Sequence, residues 1–148
     1  MNVGVLGESH SDIEKLTVQD YMIYDPLTIT PDAKISTTEL LMLKKKIGGL
    51  PVINNNKDKQ LIGIITQRDI RLARFALNLE SPNTNVRDLM TKDPKIVAKT
   101  DSLKKTLGLM FENNVERLPV VNQHNELIGL VIQQDILKAI YGYLNEKS

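Results

Sequence analysis

A chain of 148 residues suffices for one compact domain, or for two small ones sharing a core. Its 41% hydrophobic and 25% charged residues are the composition of a folded globular protein and exclude a disordered one. Nineteen Lys+Arg against eighteen Asp+Glu leave a net charge of +1, so no global field draws in nucleic acid or an anionic membrane.

Cysteine is absent, which removes disulfides, thiolate metal sites and thiol nucleophiles, and His10 and His124 alone do not make a metal site. The N-terminal extension, residues 1–16, lacks the basic start and apolar run of a signal peptide. Its "GVLG" at Gly4 to Gly7 has too few glycines for a dinucleotide fingerprint. The longest apolar runs, "LIGII" and "LIGLVI", are far too short to span a bilayer. A cytoplasmic protein without membrane contact is expected.

From Thr17 onward the chain is written twice. "VQDYMIYDPLTI" at Val18 to Ile29 matches "VRDLMTKDPKIV" at Val86 to Val97, and "LPVIN" at Leu50 matches "LPVVN" at Leu118. The register slips by two at a polar turn and resumes with "LIGIITQRDI" against "LIGLVIQQDI". The repeats are placed at 17–79 and 85–143. In chain order each has a short helical turn, then an Asp-Pro (Asp25-Pro26, Asp93-Pro94) whose Asp is expected to be extended, since the residue before proline avoids the helical region. A short strand, "LTI" or "KIV", should follow, then a helix opening near Asp32 or Asp101. In the first copy its apolar positions Ile35, Leu40, Met42, Leu43 and Ile47 recur at roughly helical spacing, which makes Met42 core. Two branched apolar runs joined by a polar turn read as a buried antiparallel hairpin, and a last helix starts at Gln67 or Gln133. The fold class is α+β (α/β), each repeat β-α-β-β-α, and the two are expected to share a core about a pseudo-two-fold axis.

The paired "DxM…DP" starts, paired "LPV" strands and paired "G-apolar-apolar-x-x-x-D-apolar" ends resemble the cystathionine β-synthase (CBS) domain pair, or Bateman module, over about Thr17 to Tyr143. The resemblance implies tandem CBS domains that bind an adenosine-containing ligand between the repeats: AMP, ADP or ATP, with S-adenosylmethionine or NAD as further possibilities. It implies no catalytic residues, no metal and no resident cofactor. It also implies a regulatory role toward a partner protein, and assembly as a homodimer of pairs in a flat four-unit disc. With about sixteen residues outside the pair, no attached catalytic domain is expected.

Thr66 and Asp69 form Thr-x-x-Asp before a helix. A helix cap explains the pair. The same geometry also lets the carboxylate accept from two ribose hydroxyls, with the threonine adding a contact, and the resemblance favours that use. The second copy keeps Asp135 but has Ile132, which can neither cap nor bind ribose. Arg117 precedes the second "LPV" where the first copy has Gly49, and a lone strand-edge arginine is an equal reading from spacing. By resemblance Arg117 takes the ligand phosphate, its planar fork suiting that group. One site thus comprises Thr66, Asp69 and Arg117, and a second, degraded one retains Asp135. By the same resemblance Thr28 and Ile29, with Ile64 and Ile65 nearby, meet the adenine, although core packing also explains them. Arg68 and the lysines Lys104 and Lys105 could add phosphate contacts. An enzyme would need a nucleophile or acid–base pair, and none is found beyond unpaired Asp residues. The alternative function is nucleic-acid binding through Lys44–Lys46 and Lys104–Lys105, which near-zero net charge and few aromatics disfavour.

Overall fold

The structure, a computed structural model, describes residues 12–77 and 83–147. His10 and Gly4 to Gly7 lie outside the described residues. The chain is mixed helix and sheet. A 3-10 turn at Val18–Asp20 leads to β1 (Ile23–Tyr24), α1 (Ile35–Lys45), β2 (Gly49–Ile53), β3 (Leu61–Thr66) and α2 (Gln67–Leu72). The last of these continues as a π-helical turn, Ala73–Leu77. Then come α3 (Val86–Leu89), β4 (Thr91–Lys92), α4 (Leu103–Asn113), β5 (Arg117–Val121), β6 (Leu127–Ile132) and α5 (Gln133–Lys147).

The chain folds as two compact units. Unit 1 comprises Met1–Asp25, Lys95–Asn122 and Ile128–Ser148, and unit 2 comprises Pro26–Pro94 with Gln123–Leu127. The crossings fall at the two Asp-Pro dipeptides, so each repeat lends its opening segment to the unit that holds the other repeat's hairpin. In unit 2 the sheet order is β2-β3-β4, where β4 belongs to the second repeat. Ile64 faces Thr91 and Gly63 faces Lys92. The same segment docks its helical start on the first repeat: Val86 N donates to Ala33 O at 2.9 Å and Ile35 N to Thr84 O at 3.1 Å. Unit 1 mirrors this with the order β1-β6-β5, Tyr24 facing Gly129 and Ile23 facing Leu130. There Val18 N donates to Asp101 O at 3.0 Å and Leu103 N to Leu16 O at 3.2 Å.

Each unit has its own core. Unit 2 buries Met42, Leu50, Val52, Ile65 and Ile70 together with Val86 from the lent segment, and unit 1 buries Val97, Met110, Leu118, Val120 and Val131 with Val18, Tyr21 and Met22. Burying side chains of this kind stabilises by about 1.5–3 kcal/mol each, so a unit without its lent segment would lose several kcal/mol.

Three sequence-based expectations change. The strands sought at "LTI" and "KIV" shrink to single parallel bridges, Ile29 to Val52 and Val97 to Val120. The regular pairing lies just before the Asp-Pro instead, in β1 and β4. Asp25 and Asp93 are not extended: their φ values of 47° and 48° lie in the left-handed region, which aspartate tolerates better than most residues and which turns the chain sharply at each crossing. Leu40 and Leu43 are not core, being 51% and 65% exposed, while Met42 is fully buried. Ile35, Leu40, Met42 and Leu43 cover more of α1 than the single stripe that meets the core, and Ile47 lies beyond its end.

Candidate functional site

In unit 2, Thr66 closes β3 opposite Gly49 and starts α2 with extended backbone (φ −125°, ψ 162°). Its hydroxyl accepts from Asp69 N at 3.2 Å and donates to Asp69 Oδ2 at 3.0 Å. Thr66 N donates to the same Oδ2 at 2.9 Å. The cap is therefore real, and it leaves Oδ1 of the half-buried Asp69 carboxylate without a hydrogen bond among the described residues. One oxygen is held and the other is available to a hydroxyl donor.

The other candidate residues of this repeat lie along the same sheet. Ile29 N donates to Pro51 O at 3.1 Å and Ile53 N to Ile29 O at 3.0 Å, so Ile29 flanks β2 on the side away from β3. Pro51 in turn faces Ile64, which places Ile29 about 10 Å from β3 across two strand spacings. Thr28, beside it, is half-buried and its hydroxyl makes no hydrogen bond among the described residues. Ile65 is fully buried in the unit 2 core, and strand alternation turns Ile64 to the opposite face. Arg68 is exposed.

Arg117 and Asp135 lie in unit 1. Arg117 opens β5, is half-buried, and has no ion pair or side-chain hydrogen bond among the described residues. An arginine partly withdrawn from water and not ion-paired is disposed to bind an anion. The strand end is closed as in unit 2: Gln133 N donates to Glu116 O at 2.9 Å, as Gln67 N does to Gly48 O. The carboxylate beyond it differs. Next to Ile132, half-buried Asp135 makes no side-chain hydrogen bond among the described residues.

The cationic candidates are less distinctive. Lys44 and Lys45 end α1, and Lys46 caps it in the left-handed region with φ 55°, where positive charge suits the helix dipole. Lys105 pairs with Asp101 at 3.1 Å, and Lys104 is exposed. The carbonyl of His124 accepts from Gln60 Nε2 at 3.0 Å. Among the described residues no cluster of His, Cys, Asp or Glu could hold a metal ion, and no helix is long and apolar enough to cross a membrane.

Two features escaped the sequence reading. One is exposed apolar surface: in unit 2, Leu72 and Phe75 add to Leu40 and Leu43, and in unit 1, Leu137, Tyr141 and Leu144 add to Phe111. The other is a close fit between a methionine of one repeat and a glycine of the next. Both residue types stood in the repeated motif, but nothing in it said that they touch.

Comparison with known proteins agrees with this architecture. The CBS domain family matches residues 18–75 and again 86–142. Inosine-5'-monophosphate dehydrogenase of Methanocaldococcus jannaschii is 34% identical over 137 residues, which are 93% of this chain and 26% of that one. An uncharacterized protein of the same organism, MJ1232, is 33% identical over 144 residues, 97% of this chain and 45% of the relative. The chain thus spans less than half the length of either. Among solved structures, Arabidopsis thaliana CBSX2 in complex with AMP superposes with a TM-score of 0.77 at 29% identity, covering 89% of this chain and 98% of that one. With two matched segments over a doubled fold, the chain belongs to the CBS domain family as a tandem pair.

Proposed function

We propose that the protein is a non-enzymatic regulatory module that binds one adenosine-containing ligand of the AMP, ADP or ATP class per chain and passes that state to a partner protein or to its own assembly. The observation that carries this reading is the Asp69 carboxylate, half-buried, with Oδ2 held by Thr66 and Oδ1 open. An ionised acceptor fixed in this way suits the paired hydroxyls of a ribose. Thr28, Ile29 and Ile64 supply a threonine and apolar side chains for a purine, Ile65 supports them from the core, and Arg68 remains a peripheral cation. Arg117, half-buried and without an ion pair among the described residues, is the cation suited to the phosphate. The complex of CBSX2 with AMP, in a relative 29% identical, supports the adenosine class.

Asp135, beside Ile132 and with Gly49 in place of a cation, makes a weaker second position. The exposed apolar side chains of α1, α2, α4 and α5 support a homodimer of pairs, and the cell compartment that fits is the cytoplasm. Nucleic-acid binding through Lys44–Lys46 and Lys104–Lys105 has less support, since Lys105 is already paired. A thermal-shift panel of AMP, ADP, ATP, S-adenosylmethionine and NADH tests the reading: a phosphorylated adenosine compound should raise the melting temperature, and a flat response to all five would refute it.

A further inference from the structure

We propose that Met90 is an oxidation site: a hydroperoxide converts its thioether to a sulfoxide, and the sulfoxide loosens β4, the strand that the second repeat lends to β3. Among the described residues, Met42, Met110 and Met22 are 0%, 2% and 8% exposed, which shields their sulfurs from an oxidant in water. Met90 is half-buried. It follows α3, directly precedes β4, and packs on the edge of the unit 2 core. Exposure decides which thioether is oxidised first.

In the step, a lone pair on Met90 Sδ attacks one peroxide oxygen. The S–O bond forms as the O–O bond breaks, and the other oxygen leaves with the proton as water or an alcohol. Sulfur is oxidised by two electrons and the peroxide is reduced by two. A sulfoxide reductase reverses the change with two thiols, which become a disulfide while the oxygen leaves as water.

The sulfoxide fits poorly where the thioether now lies. A Cβ built on Gly63 would come 2.9 Å from Met90 Sδ and 3.3 Å from Met90 Cγ, so the side chain rests directly on the Gly63 backbone. An oxygen turned toward Gly63 has no room there. The Thr91 carbonyl oxygen, 2.8 Å from the same point, is an acceptor and offers a sulfoxide no hydrogen. Turned toward the core, the oxygen is a polar group buried without a donor. Swung out into water, it takes the sulfur off Gly63. Each outcome weakens β4, which pairs with β3 through two residue pairs, Gly63 with Lys92 and Ile64 with Thr91. Met22 lies over Gly129 in the same way but is shielded, so unit 2, which carries Asp69, responds and unit 1 does not.

The test treats the full chain with a limiting dose of hydrogen peroxide, maps the oxidised methionines by peptide mass spectrometry, and measures melting temperature. Met90 should oxidise before Met22, Met42 and Met110, and the melting temperature should fall by about 3 °C or more. Methionine sulfoxide reductase with a thiol should restore it. Met90→Leu, a swap of similar volume, should melt near the wild type and lose nothing at the same dose. Met1 remains in both chains, so its oxidation does not account for a difference between them. If Met90→Leu does not fold, recovery of the wild type by the reductase reads the same effect. Oxidation of the buried methionines as fast as Met90, or a Met90 sulfoxide that leaves the melting temperature unchanged, would overturn the proposal.

Discussion

Met22 of the first repeat lies directly over Gly129 of the second: a Cβ at Gly129 would come 2.7 Å from Met22 Sδ and 2.9 Å from the Ile23 carbonyl oxygen. The mirror contact sets Met90 over Gly63, where a Cβ would meet Thr91 O at 2.8 Å and Met90 Sδ at 2.9 Å. Each glycine lets the lent strand approach, which explains why the motif carries both a methionine and a glycine. Gly129→Ala should destabilise the protein by about 1–3 kcal/mol, since a flexible thioether can move aside but a paired strand carbonyl cannot do so cheaply. Urea unfolding checks this, and an unchanged midpoint would contradict the fit.

The exchange of opening segments also determines which fragment folds. Residues 26–94 contain most of unit 2, including β4 and the buried Val86. The first repeat, 17–79, lacks both. The 26–94 fragment should therefore unfold cooperatively on heating and the 17–79 fragment should not. Circular dichroism melts of the two peptides decide it.

Much of this fold was legible in the sequence, because the doubled motif fixes strand and helix order without any structure. The exchange was not. Both repeats open with the same kind of segment, and nothing in the pattern says that "DxM" packs on an "LIG" strand or on whose. Asp25 and Asp93 depart from the pre-proline rule because it is a preference that a tight crossing overrides. The Thr66–Asp69 pair was readable since its bonds are local, and the unheld state of Asp135 followed from Ile132. That Thr66 spends its only proton on Asp69 needed coordinates.

Tyr21 should make the protein sensitive to alkali. It is 7% exposed and its buried hydroxyl makes no hydrogen bond among the described residues. Burial raises its pKa above 10.0; the Thr106 hydroxyl nearby opposes this, and Asp20 and Asp101 add to the rise. The Thr106 hydroxyl donates its own proton to Ser102 O at 2.9 Å. The raised folded pKa favours the protonated form, so this stability is complete below pH 10 and is lost as pH rises above it. Tyr21→Phe should keep or slightly raise stability at pH 8, because it removes an unsatisfied hydroxyl, and should flatten the decline between about pH 10 and 11. Melting temperatures across that range test both parts.

Leu43 and Phe75 in unit 2, at 65% and 86% exposure, and Phe111 in unit 1, at 69%, are costly to leave in water and suit a dimer contact. The wild type should scatter light as a dimer at micromolar concentration. Leu43→Asp or Phe111→Asp should shift it toward monomer with the melting curve still cooperative. A monomeric wild type would contradict the assembly.

The central claim is one adenosine-nucleotide site per chain built on Asp69. With Ile132 in place of a threonine hold and Gly49 as the first repeat's counterpart of Arg117, the Asp135 position should be weaker by roughly 2–4 kcal/mol, about thirty- to a thousand-fold. The most direct measurement is isothermal titration of the wild type and Asp69→Ala with AMP and ATP. The account predicts a stoichiometry near one per chain for the wild type, and for the variant a loss of affinity of about 2–4 kcal/mol with the fold intact. Two equivalent tight sites, or an Asp69→Ala variant that binds as tightly as the wild type, would contradict it.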